Sequence, residues 1–148
     1  MEQSKVDMFI LSKGQCFPDS LVAHIREKLL SCTDDEWHIV SSMQFKSPFV
    51  ALIFSIGAGT CGADRFYLGH TGLGVAKLIL TILAIVLMFV ETFNEIENLG
   101  FVVFYLLVVF GVLLWYFIDI FHASKNAKEF NYNKFSIVVV HFPWMLWH

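Results

Sequence analysis

Apolar and polar positions are patterned in two ways along this chain. Up to residue 46 they are mixed at helical spacing. Val6, Phe9 and Ile10 form one small apolar group, and Leu21, Ile25 and Leu29 recur at four-residue steps with Arg26, Glu27 and Lys28 opposite them. Thr33-Asp34-Asp35-Glu36 has the spacing of a capping box, in which a hydroxyl and a carboxylate satisfy free amides at a helix start. Trp37, Val40 and Met43 then follow on one face. This leader, residues 1–46, is expected to form two or three short amphipathic helices, packed on each other or lying on a membrane surface.

From Ser47-Pro48 onward the pattern changes to long apolar runs. The first, Phe49 to Ile56, continues through glycines to Cys61 and reaches the roughly 20 residues of a spanning helix only if Asp64 and Arg65 are included. It reads either as a span or as a re-entrant segment broken at the glycines. The second run, Val75 to Val90, and the third, Leu99 to Ile118, are each long enough to cross a hydrocarbon core of about 30 Å. The segments fall at about 48–67, 73–91 and 99–121, within a membrane domain over 47–122. Residues 123–148 form a tail, first basic and then aromatic, whose Trp144 and Trp147 suit headgroup depth. The fold class is an all-α integral membrane protein, with a short helical leader, a short first segment and a long two-helix hairpin.

Composition agrees with this division. The chain is 57% hydrophobic and only 16% charged, more apolar than the roughly half apolar and quarter charged of an ordinary soluble domain. A net charge of -3, with dispersed Lys and Arg, excludes a basic nucleic-acid face. Cys16, Cys32 and Cys61 have no CxxC or Cys/His spacing, so neither a disulfide framework nor a metal site is expected. The opening residues carry no pattern of a cleaved signal or a lipid attachment site. The turn Glu91 to Asn98 is acidic, with Glu91, Glu95 and Glu97, whereas Lys46, Arg65, Lys77, Lys125, Lys128 and Lys134 flank the spans. The positive-inside rule therefore puts the turn outside and the C-terminal flank in the cytoplasm. A cytoplasmic leader then requires the first segment not to cross.

The residues Lys46-Ser47-Pro48, Gly59-x-x-Gly62-x-Asp64-Arg65-Phe66-Tyr67-Leu68-Gly69, Thr71-Gly72-Leu73-Gly74, Lys77-Leu78 and Trp115-x-x-x-Asp119 resemble the TM-two domain family. The resemblance extends from Lys46 to Phe121. It implies a pair of transmembrane helices joined by a short linker bearing an Asp-Arg-Phe motif. The leader, with its KVDMFILS and IREKLL stretches, is similar to that of small bacterial members, which implies a bacterial inner membrane and no assigned activity. Here the stretch Ile79 to Leu114 is longer than the family pattern, as if its second helix had been opened into a hairpin.

Six glycines, Gly57, Gly59, Gly62, Gly69, Gly72 and Gly74, crowd around Asp64-Arg65 and mark a structural elbow where backbones approach closely. The pairs Gly57/Cys61 and Gly59/Ala63 have small-xxx-small spacing. The motif residues Asp64, Arg65, Phe66, Trp115 and Asp119 are candidates for an ion-paired centre, with Arg65 and Asp119 expected at the same boundary. Lys77 is the candidate for a lipid headgroup, or for snorkelling. No acid, base or nucleophile set is visible in the lipid segments, so no enzymatic activity, catalytic residue or cofactor is expected. The expected partners are membrane lipids, other copies of the chain and a protein partner at the leader or tail. The expected function is that of a small self-associating scaffold or interaction protein, with a homo-oligomeric channel or pore as the alternative.

Overall fold

The computed structural model describes the backbone of residues 2–94 and 99–145 and the side chains of 2–93 and 99–139. The helices are α1 (Gln3–Lys13), α2 (Val22–Ser31), α3 (Asp34–Ser42), α4 (Pro48–Ala58), α5 (Ala63–Leu68), α6 (Thr71–Asn94) and α7 (Leu99–Met145). Two 3-10 turns, Gly14–Cys16 and Asp19–Leu21, join α1 to α2. The chain divides into two compact units. A flank unit comprises the residues up to Pro48 and those from Lys125 onward, and an apolar unit comprises Phe49–Ser124.

The flank unit has its own hydrophobic core. Val6 and Phe9 of α1, Phe17, Ile25 and Leu29 of α2, Cys32, Val40 of α3 and Phe135 of α7 are buried together, with Trp37, Met43, Phe45 and Tyr132 packed against them. The apolar faces of the leader thus meet each other and α7. The capping box forms: the Thr33 hydroxyl accepts from the Glu36 amide, and the Glu36 carboxylate accepts from the Thr33 amide at 2.8 Å. Phe17 anchors the aromatic part of the core, edge-on to Phe45 and Phe135 at centroid separations of 4.9 and 5.9 Å. Such edge-to-face pairs add about 1 kcal/mol each beyond area burial.

The segment read from sequence as a separate tail has another role here. Asn131, which is fully buried, holds the chain at Lys46 from both sides. Its Oδ1 accepts from the Lys46 amide at 2.8 Å, and its Nδ2 donates to the Lys46 carbonyl at 2.7 Å and the Cys16 carbonyl at 2.9 Å. Lys134 donates to the Gln44 carbonyl, Lys128 bridges to Asp19, and the Lys46 ammonium lies 4.6 Å over the Phe130 ring. Burial first, and the neighbouring Lys134 second, push that ammonium below the usual lysine range. The side chains of Trp144 and Trp147 lie outside the described residues.

In the apolar unit α4 has 11 residues, about 16 Å at 1.5 Å per residue, and cannot cross a bilayer core by itself. The expected first segment at 48–67 is therefore two helices. The backbone turns after Ala58 because Gly62 takes a left-handed φ of 78°. α6 and α7 contain the two candidate spans, Thr71–Phe93 and Leu99–Val139. α7 does not stop near residue 121. It has 47 residues and continues through the basic stretch as the helix that completes the flank core. Glu95 and Glu97 of the acidic turn lie outside the described residues.

Two outcomes are expected from the flank unit. Asn131→Ala leaves two carbonyls and an amide without their partners, at about 1–3 kcal/mol for each group that water cannot reach. Chemical denaturation followed through Trp37 should show a loss of several kcal/mol, against about 1 kcal/mol for Thr33→Ala. Cys32 is 8% exposed, and burial first, then Glu36, push its thiol up. At neutral pH it should resist a water-soluble maleimide until the unit unfolds, as peptide mapping of the labelled protein would record.

Candidate functional site

The apolar unit buries four charged side chains in one place. Gly62 and Gly69 frame α5, which carries Asp64 and Arg65. Gly69, at φ 81°, ends the helix with the paired bonds of a Schellman motif: its amide reaches the Phe66 carbonyl and the His70 amide reaches the Arg65 carbonyl. At Gly62 a Cβ would fall 2.7 Å from the Gly74 carbonyl oxygen and 3.0 Å from its Cα, so α5 starts where the backbone touches that of α6. Gly74 in turn lies under the Phe66 ring, where a Cβ would come within 3.0 Å. These contacts set α5 against α6, with Lys77 one turn further along.

Asp119 of α7 is the hub. Its Oδ1 accepts from the Arg65 guanidinium and its Oδ2 from the Lys77 ammonium at 2.5 Å. Asp64 is held more loosely, its Oδ2 3.4 Å from Arg65 Nε and its Oδ1 3.6 Å from Lys77 Nζ. The side chains of Asp119, Lys77 and Asp64 are 0, 2 and 3% exposed, while that of Arg65 is 14% exposed. Two carboxylates face two cations, so the cluster is neutral. An isolated charge in such surroundings costs several kcal/mol or more, and mutual pairing makes burial tolerable. Asp64 Oδ1 and Arg65 Nε accept or donate no hydrogen bond among the described residues, so all their compensation is the charge contact.

The structure thus brings Asp64, Arg65 and Asp119 together and adds Lys77. This corrects the reading of Lys77 as a headgroup ligand: at 2% exposure its ammonium faces two carboxylates of its own chain. Trp115 is half-buried, one turn before Asp119, and Phe66 packs on Gly74 rather than on a charge. Of the six elbow glycines, Gly57, Gly69 and Gly72 have no neighbour within 4 Å of an added Cβ, so close backbone approach between α5 and α6 is confined to Gly62 and Gly74. The small-xxx-small pairs do not form a helical face, because α4 ends at Ala58 before Cys61 and Ala63 are reached.

Two further polar contacts hold the break after α4. The Tyr116 hydroxyl donates to the Ile56 carbonyl at 2.9 Å, and the Thr81 hydroxyl to the Thr60 carbonyl at 2.7 Å. Carbonyls freed by a helix end in an apolar setting need such donors. Tyr116 escaped the sequence reading. The available signal was its place beside Trp115, one turn before the charged end of an otherwise apolar run.

Helices throughout the described residues, two of them long and apolar enough to cross a membrane, and an ion-paired centre between them define a small all-α membrane protein. Residues 44–93, which include α4, α5 and nearly all of α6, match the family model described as the TM2 domain. The match ends before α7, and Trp115 and Asp119 therefore lie outside it. No curated protein matches the chain, and no solved structure matches it.

Asp119→Leu leaves the cluster with one excess cation and Lys77→Met leaves it with one excess anion. Each should cost about 3–5 kcal/mol, whereas the double substitution leaves the neutral Asp64–Arg65 pair in apolar surroundings. Thermal unfolding in nanodiscs should rank the double variant above both singles. Additive losses would mean that charge balance does not govern this site.

Proposed function

We propose that this protein is a self-associating, multi-pass scaffold of the bacterial inner membrane that acts by contact and performs no catalytic step. The observation that carries this reading is the neutrality of the buried cluster. Its charges are used up on each other, so α6 and α7 offer their surroundings apolar side chains such as Ile79, Ile82, Val86, Phe104, Leu107 and Phe110, all about half exposed or more. Lipid tails and the helices of other copies are the partners such faces suit.

The flank unit supports the orientation. Residues on both sides of the apolar unit share one core through Phe17, Ile25 and Phe135, and a packed core lies on one side of a bilayer. The chain then crosses an even number of times between Pro48 and Lys125. With α4 too short to span, α6 and α7 are the two crossings, and the positive-inside rule puts the shared flank unit in the cytoplasm. Membrane lipids and a protein partner on this unit are part of the proposal.

Mass measurement of the protein in nanodiscs, corrected for lipid, is expected to give more than one copy. A monomer at every concentration would reject self-association, and a closed ring of four or more would favour a conduit. Single cysteines at Ser4 and Lys125, in a chain whose native cysteines are replaced, should be labelled from the cytoplasmic side, and one at Thr92 from the opposite side. Labelling of Ser4 and Lys125 from opposite sides would overturn the topology.

A further inference from the structure

Within the flank unit, α2 and α7 border a small cleft of about 20 Å³, partly open to solvent and lined by His24, Lys28, Tyr132, Phe135, Ser136 and Val139. Its floor is fixed. Phe135 is 2% exposed and belongs to the core, and Tyr132 and Val139 pack against that core. His24 and Lys28 are one turn apart on α2, and Tyr132 and Ser136 one turn apart on α7, so each helix contributes two polar groups to the same space.

The chemistry of these four groups is uniform. An ammonium, an imidazole and two hydroxyls can all donate hydrogen bonds, and no carboxylate lines the cleft. None of the four side chains has a hydrogen-bond or ion-pair partner among the described residues, whereas neighbouring cations such as Arg26 and Lys128 are paired with Asp7 and Asp19. Donors of this kind suit an anion with several acceptor oxygens, and Phe135 and Val139 offer an apolar wall to its first carbons. A cavity of this size holds about one water molecule, so the cleft can seat a small anionic head at its mouth and does not enclose a whole molecule. A phosphate carries up to about two negative charges and three terminal oxygens, more than a carboxylate can offer four donors.

We propose that this cleft binds a phosphomonoester, carried either by a lipid headgroup or by a small soluble molecule. The inference is independent of self-association. The full chain in phosphatidylcholine nanodiscs is titrated with glycerol 3-phosphate by calorimetry. In parallel, native mass spectrometry counts the phosphatidate retained from nanodiscs doped with that lipid. Saturable binding in the first arm alone identifies a soluble ligand, and in the second alone a headgroup. In the arm that binds, Lys28→Ala should weaken affinity about tenfold, the effect of one charged hydrogen bond, and Lys28→Arg should retain it. Lys28 is exposed, so neither variant disturbs the core; Ser136→Ala gives a second, uncharged comparison and should also weaken binding. Absence of saturable binding in both arms, or undiminished affinity in Lys28→Ala, overturns the proposal.

Discussion

A charge buried in an apolar medium has to find its opposite inside the same structure, and in this protein that requirement fixes where three helices meet. Asp119 sits far from Arg65 and Lys77 in sequence, yet its two carboxylate oxygens take one cation each. Because α5, α6 and α7 each contribute a charge that the others must neutralise, none of them can slide or rotate freely. Apolar side chains in lipid do not supply that restraint, since a Leu packs against an acyl chain as readily as against another Leu. The charges contribute position more than stability, and the Gly62–Gly74 contact provides the short backbone distance that lets α5 reach its partners.

The flank unit is organised by different physics. Its core of Val6, Phe17, Ile25, Leu29 and Phe135 is assembled from water-soluble pieces by area burial, with a single amide, Asn131, replacing water for three backbone groups. A polar residue with all its partners met specifies one register of Lys46 against α7, which a purely apolar contact would leave loose.

Much of this was legible in the sequence, and the losses have identifiable causes. The helical period of Leu21, Ile25 and Leu29 and the capping box at Thr33 are local signals, and local signals survive into the fold. Arg65 with Asp119 could be paired on paper because charges in apolar runs have few alternatives. Lys77 could not be placed, since a lysine near the start of a span looks the same whether it reaches out to headgroups or inward to carboxylates. The length of α7 was hidden by a different effect. Hydropathy falls after Phe121, and the sequence pattern places the end of the membrane domain at residue 122, although Ala123, Ala127, Asn131 and Phe135 continue at four-residue steps as the buried line of one helix. Period outlasts hydropathy when a helix leaves one environment for another. The match to the TM2 domain likewise stops short of the hub residue Asp119, so a family pattern alone does not supply the whole cluster.

The sharing of one core by the beginning and the later part of the chain has a consequence for biosynthesis. Val6, Phe17 and Ile25 leave the ribosome more than a hundred residues before Phe135, and until that ring arrives their side chains lack a closing surface. The helices that carry them are therefore made well before the surface that completes their core. Until residue 135 is delivered they remain amphipathic segments with an open apolar face, and their packing reports that α7 has been made.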